Sequence, residues 1–168
     1  MAGVIFDLDQ TIVDSSIAEH LRRQGNWGSV YPLIPKFALY PGIHEAFAYL
    51  RQKQIPVAIV TSSPSIYCGK VTSHFNVSCD NRVCYHDTKL RKPHPAPFHL
   101  ALQKMGIDTK NVISFGDSPH DISASHAADI ASVACLWGTD DRDAIIKASP
   151  HYIIERSEDL PEFMTKFF

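Results

Sequence analysis

The chain reads as an α/β protein: a doubly wound (Rossmann-like) parallel sheet flanked by helices. Three observations predict this. Short apolar runs bounded by Gly, Pro, Asp or Ser recur along the 168 residues. Amphipathic stretches of about 10–20 residues separate them, the spacing of βαβ units. Acidic and hydroxyl side chains gather just after the runs, where ligands bind in an open parallel sheet. The length fits a single domain over 1–168, given about 100–200 residues per domain, and no internal repeat or low-complexity segment divides it.

In chain order, Val4-Ile5-Phe6 opens the series as a strand. Ile43, Phe47 and Leu50 then fall on one helical face, for a helix starting near Gly42. Pro56–Val60 is the second strand, and Thr61-Ser62-Ser63-Pro64 starts a helix with Ser at the cap and Pro just inside. Arg82–Tyr85 is a weaker strand. Pro97, Phe98, Leu100, Ala101, Leu102 and Met105 form a helix stopped by Gly106. Asn111–Phe115 is a strand running into Gly116-Asp117-Ser118-Pro119, a second helix start. Ile122, Ala124 and Ala127–Ile130 predict a small-residue helix that packs closely on a sheet. Ala131–Trp137, ending at Gly138, and Tyr152–Ile154 are the last strands. Residues 15–41 break the alternation: a short helix over 16–23 is expected, and the remainder, with Pro32, Pro35 and Pro41, reads as irregular insertion or long connecting loop.

Composition narrows the function classes. The hydrophobic set is 45% and charged residues 20%, enough for one sizeable core and too apolar for a disordered chain. Sixteen Lys+Arg against eighteen Asp+Glu give a net charge of −2, which offers no footprint for non-specific nucleic-acid or membrane binding. No apolar run reaches the ~18–20 residues a bilayer span needs. MAGVIFDLDQ lacks the basic start of a secretory leader. Cys68, Cys79, Cys84 and Cys135 have neither zinc-knuckle nor CxxC spacing, and the nine histidines have no HExxH-like spacing. The expectation is a reduced, cytoplasmic protein.

Three loops converge on one rim: Asp7, Asp9 and Thr11 after the first strand; Thr61 and Ser62 after the second; Gly116, Asp117, Ser118 and Asp121 after the strand at 111–115. Asp7 and Asp9 are two apart, so in extended backbone their side chains start on one face. With Asp117 they make an oxygen-only anionic cluster, which repels itself unless a hard cation occupies it; Mg²⁺ is the natural occupant. Chance supplies about 0.04 DxDxT patterns in a chain of this composition. The upstream apolar run and the second acidic loop reduce coincidence further.

Val4-Ile5-Phe6-Asp7-Leu8-Asp9-Gln10-Thr11 resembles the first motif of the haloacid dehalogenase superfamily. Val60-Thr61-Ser62 is similar to its second, Lys92-Pro93-His94-Pro95 to its third and Gly116-Asp117-Ser118-Pro119-His120-Asp121 to its fourth. Order and spacing resemble the phosphoglycolate-phosphatase-like branch over residues 3–156. The resemblance implies a phosphatase with Asp7 as nucleophile, forming an aspartyl-phosphate, and Asp9 as general acid and then base. It implies Mg²⁺ held by Asp7, the backbone carbonyl of Asp9 and Asp117, with Asp121 nearby through water or Lys92. Thr61 and Lys92 would hold the phosphoryl oxygens, in a phosphate-binding set with Leu8, Thr11 and Ser62. Members that cleave carbon–halogen or phosphonate bonds typically lack the second acid, so Asp9 favours phosphate esters. The family usually has Gly where this chain has Gln10.

Each residue also has a plainer role. Thr61 and Ser62 can cap a helix, Lys92 can be surface charge like Lys89, Arg91 and Lys104, and Asp121 can be a first-turn helix acid. His120 is an exposed-loop histidine. Two other functions fit the same motifs: a phosphosugar mutase, which needs a full cap over the site that this chain is too short to carry, and a non-catalytic phospho-ligand-binding or regulatory module, which would be expected to lack the nucleophile or Lys92. The 54 residues from Asp7 to Thr61 leave only 15–41 as a reduced cap. An open rim would admit a small phosphorylated metabolite or a larger phosphoester, and a homo-oligomer in which one subunit covers the other's site is equally compatible. Arg22, Arg23 and Trp27 in this stub either touch substrate or, for Trp27, pack the stub on the core.

Overall fold

The structure, a computed structural model, describes residues 2–168. Six parallel strands form the main sheet: β1 (Gly3–Phe6), β4 (Val57–Val60), β5 (Asn81–Val83), β6 (Val112–Gly116), β7 (Ala131–Cys135) and β8 (Tyr152–Ile154). Their spatial order is β5-β4-β1-β6-β7-β8. Two short strands, β2 (Val13–Asp14) and β3 (Ala38–Leu39), pair antiparallel in a separate ribbon. The helices are α1 (Glu19–Arg23), α2 (Trp27–Val30), α3 (Ile43–Gln52), α4 (Ser65–His74), α5 (Ala96–Met105), α6 (Pro119–Ala127), α7 (Arg142–Lys147) and α8 (Leu160–Phe167). The α/β doubly wound expectation holds, and each expected strand is present within two residues of its expected ends.

The two-residue period of a strand divides the core. Val4 and Phe6 face one side of β1, where Phe6 stacks between Phe47 of α3 and Phe115 of β6 at centroid distances of 5.1 and 4.8 Å. The buried residues of α3, α4 and α8 belong to that layer. Ile5 faces the other side, with Phe98, Ala101 and Leu102 of α5 and Ala124 of α6. Ile145 of α7 joins Ile122 and Ala134 in a third, smaller cluster. Gly106 ends α5 in the left-handed conformation at φ 66°, which glycine adopts without steric cost.

Four expectations need correction. The N-cap of α4 is Pro64, in extended backbone and without a side-chain cap bond; Ser63 is not the cap, because its hydroxyl is committed to Asp9. The small-residue helix starts at Pro119 as expected, where Ser118 and Asp121 close a capping box, but it ends at Ala127 and does not run to Ile130, since Asp129 turns through a positive φ of 57°. The stub 15–41 is not irregular: a 3-10 turn over Ser16–Ala18 leads into α1, α2 follows, and a second 3-10 helix runs over Tyr31–Lys36. Its ends meet in the β2–β3 ribbon, with Val13 opposite Leu39 and Asp14 opposite Ala38. The helices α7 and α8, absent from the sequence reading, cover the far end of the sheet. Among the described residues, no helix is long and apolar enough to cross a membrane.

Candidate active site

Parallel strands direct their carboxyl ends to one rim, and β1 lies between β4 and β6, so the loops after these three strands meet. Carboxylate oxygens of Asp7, Asp117 and Asp121 lie within 4.8 Å of one another. Lys92 Nζ donates to Asp7 Oδ1 and Asp121 Oδ1, both at 2.6 Å, and to the carbonyl of Val60 at 3.0 Å. The other oxygen of Asp121 accepts from the Ser118 hydroxyl at 2.6 Å and backbone N–H at 3.1 Å. Asp121 is thus both a helix-capping acid and a partner of Lys92. Gly116 makes room for it, since a Cβ there would lie 2.4 Å from Asp121 Cβ.

Burial, opposed by Lys92 and reinforced by Asp121 and Asp9, pushes Asp7 from 3.8 up to about 7. Burial, with the charges of Asp7 and Asp121, also holds Asp117 well above the ordinary carboxylate range. For Lys92, burial opposes the charge, but Asp121 and Asp7 outweigh it and raise its pKa. Carboxylates that are costly to ionise together, close enough for their oxygens to share one cation, fit a hard divalent ion with oxygen ligands. Asp7, Asp117 and Asp121 can hold it.

Asp9 departs from that cluster. Its Oδ1 accepts from the Ser15 hydroxyl at 2.6 Å and the Tyr67 hydroxyl at 2.5 Å; its Oδ2 accepts from the Ser63 hydroxyl at 2.8 Å and lies 3.2 Å from Arg22 Nη1. Thr11, buried, donates its hydroxyl to Asp117 Oδ1 at 2.8 Å, and the Leu8 side chain is in the core. Neither side chain lines the cleft, so only their backbone can reach a phosphate; Thr11's side chain orients a carboxylate instead. Gln10 occupies the left-handed region at φ 64°, the geometry Gly would supply, and its side-chain oxygen accepts from Ser15 N–H at 3.2 Å.

The cleft over these groups has a volume of about 480 Å³. Thr61, Ser62, Lys92 and His120 line it on the sheet side, and Arg22, Arg23 and Trp27 on the stub side. Trp27 packs the stub on the core, its ring 5.3 Å from that of Tyr67, and also lines the cleft. Arg23 pairs with Glu19 of its own helix. Another cleft, of about 450 Å³ between Phe47, Ile55 and Cys79, lies away from the carboxylates. All four cysteines carry free thiols. Ser15, Ser63 and Tyr67 were not foreseen as site residues: Ser15 lies at the start of the stub, Ser63 and Tyr67 lie around the start of α4, and no spacing links them to position 9.

Fold and site together define a doubly wound α/β protein with a lysine-bridged triad of carboxylates at the carboxyl rim of its sheet. The chain belongs to the haloacid dehalogenase-like hydrolase family, whose model matches residues 30–135. That span contains Thr61, Lys92, Asp117 and Asp121; Asp7 and Asp9 precede it and are joined to these residues by the geometry above. A phosphoglycolate phosphatase of Pectobacterium atrosepticum is 30% identical over 124 residues, 73% of this chain and 53% of that one. The pyrophosphatase PpaX of Oceanobacillus iheyensis is 26% identical over 123 residues, 72% of this chain and 58% of that one. The chain therefore spans about half the length of the curated relatives it matches. Among solved structures, a hydrolase from Pseudomonas syringae superposes with a TM-score of 0.84 at 19% identity, covering 99% of each chain. CbbY from Rhodobacter sphaeroides, in complex with phosphate, gives 0.81 at 15% identity over 95% of this chain and 96% of that one. These two likenesses are of fold.

Proposed function

We propose that the chain is a Mg²⁺-dependent phosphatase that hydrolyses a phosphate monoester of a small metabolite through an aspartyl-phosphate. The observation that carries this reading is the Lys92 ammonium between Asp7 and Asp121, with Asp117 alongside, at the floor of a cleft lined by Thr61 and Ser62. Named relatives that act on phosphoglycolate and as a pyrophosphatase support the reaction class. The four free thiols fit a reducing, cytoplasmic setting.

In the first half-reaction an Asp7 oxygen attacks phosphorus. The Oδ–P bond forms as the ester P–O bond breaks, and the leaving oxygen takes a proton from Asp9. In the second, water attacks the phosphorus, Asp9 takes its proton, and the bond to Asp7 breaks, releasing phosphate. Thr61, Ser62 and Lys92 hold the transferring oxygens with fixed donors and positive charge. Bound Mg²⁺, held by Asp7, Asp117 and the Asp9 carbonyl, supplies the charge neutralisation that allows a phosphate dianion near a carboxylate. Residues 15–41 act as a reduced cap within a single catalytic domain.

Turnover of para-nitrophenyl phosphate by the wild type and by Asp7→Asn, with and without Mg²⁺, tests this. The expected result is Mg²⁺-dependent turnover that falls by at least ~10³-fold in a variant with unchanged circular dichroism. Most of kcat surviving in folded Asp7→Asn overturns the covalent route. A wild type inert on a broad phosphoester panel returns the chain to the phospho-ligand-binding module.

A further inference from the structure

Three hydroxyls hold the Asp9 carboxylate on both oxygens without Arg22. A carboxylate offers about four lone-pair sites, and three hydroxyls, from Ser15, Ser63 and Tyr67, already occupy both oxygens at 2.5–2.8 Å. Arg22 is the longest of the four contacts, at 3.2 Å. Its side chain is 15% exposed and lines the cleft, yet its Nε is buried without a hydrogen-bond partner. An unsatisfied buried N–H is destabilising, more so when the group is charged. The other such atom, Arg91 Nε, has an account: its guanidinium lies 3.7 Å over the Tyr85 ring. Arg22 has no such account within the protein.

The other cations of the cleft are committed. Lys92 is divided between Asp7 and Asp121, and Arg23 is paired with Glu19. Arg22 is the cation lining this cleft with donors in surplus. It approaches from the stub, beyond Asp9, the acid proposed to protonate the leaving oxygen. A group touching Arg22 therefore belongs to the leaving alcohol and not to the transferring phosphoryl.

We infer that Arg22 is the specificity-determining residue of the stub, selecting phosphomonoesters whose leaving alcohol carries a second anionic group, a carboxylate or phosphate, close to the ester oxygen. The inference rests on the phosphatase reading for the direction of the leaving group. When the site is empty, Asp9 holds the guanidinium; the substrate's second anion draws it off and pairs with it through the unused donors, the planar fork suiting either a carboxylate or a phosphate.

O-phospholactate and O-phospholactamide differ by one charge at nearly constant shape, and comparing their kcat/KM in the wild type, Arg22→Lys and Arg22→Met tests the inference. The wild type is expected to prefer the acid over the amide by at least ~30-fold, about 2 kcal/mol of discrimination. The preference is expected to fall below ~3-fold in Arg22→Met and to be intermediate in Arg22→Lys. The ratio is read because damage to the fold or to Asp9 lowers both esters alike. No preference in the wild type, or the full preference retained in Arg22→Met, overturns the assignment. Calorimetric binding of both esters to Asp7→Asn and Asp7→Asn/Arg22→Met separates this from the phosphatase reading. Charge-selective binding that needs Arg22 upholds the assignment even if no ester is turned over; equal binding of the two esters rejects it even if both are hydrolysed.

Discussion

At the scale of single residues, the loop carrying Asp7 and Asp9 is clamped by contacts that tolerate almost no added atom. Gln10 turns through a positive φ, Gln10 N–H donates to the Val13 carbonyl at 2.7 Å, and Trp137 Nε1 donates to the Thr11 carbonyl at 3.1 Å. Gly138 lies so close that a Cβ there would come within 1.7 Å of the Gln10 carbonyl oxygen. Gly138→Ala must therefore displace the turn that directly follows Asp9, the proposed general acid. The expected cost is ~1–3 kcal/mol of stability from overpacking and ~10²-fold in kcat, since a shift of about 1 Å at a reacting group has that effect. Urea unfolding and steady-state kinetics on the same preparation check both. Asp7, Asp117, Asp121 and Lys92 were legible in the sequence because each follows an apolar run or belongs to a compact motif. The Asp9 cradle was not, because Ser15, Ser63 and Tyr67 acquire meaning only when the stub meets the start of α4. Gln10 was legible as a departure, and the structure explains it: a polar side chain occupies the left-handed position and repays part of its strain by bonding Ser15.

At the scale of elements, the four inner strands were readable because each is a short, almost wholly buried run with polar ends, whereas the edge strands β5 and β8 each bury one residue of three. The prolines of the stub misled the reading. Pro32 and Pro35 look like breaks, yet both lie inside the 3-10 helix Tyr31–Lys36, where Pro32 takes an early position whose N–H has no intrahelical partner to lose. Helix α8 carried a signal that went unread: Leu160, Phe163, Met164 and Phe167 fall at i, i+3, i+4 and i+7, and Leu160 and Met164 are fully buried in the layer of α3. The end of α6 is tied to β7 and the β8 approach by His126 Nε2, Ser132 Oγ and His151 Nδ1, at 2.9 and 3.1 Å, with Asp129 lining the same hollow. Burial first, and His151 second, hold His126 below its ordinary 6.5. The unfolded chain therefore takes up the proton at higher pH than the folded one. The stability His126 contributes is present above 6.5 and is lost as pH falls from there through its folded value. The melting temperature is expected to drop on acidification below that point, and less steeply in His126→Asn; parallel slopes for the two proteins over pH 5–7 would exclude this contact as the cause.

At the scale of the whole molecule, the carboxylate triad is a cost to folding that a bound cation removes. Asp7, Asp117 and Asp121 are brought together from loops more than a hundred residues apart in sequence, and burial makes their mutual repulsion harder to screen. The proposed Mg²⁺ would bind the assembled site and not the unfolded chain, so it is expected to raise the melting temperature with concentration, by about 2.7 kcal/mol of linkage at one hundred times its dissociation constant. Asp117→Ala is expected to weaken that response at least ~10-fold in Mg²⁺ concentration and to lower turnover with it. Thermal unfolding across a Mg²⁺ series, with the wild type and variant side by side, reads the shift; identical series would move the cation elsewhere.

The central place of β1 also has a consequence in time. Val4 pairs with Val57 on one side and Ile113 on the other, so this strand is flanked by strands made much later. A chain emerging from the ribosome carries β1 without a lateral partner until β4 appears, and with one side open until β6 follows. Lys92 and Asp121 meet only after that. Closing such long loops before their contacts reward the closure makes folding slow compared with a helical bundle of equal size. Throughout that wait an apolar strand edge is exposed, and the growing chain is at its most vulnerable to aggregation until β6 has been synthesised.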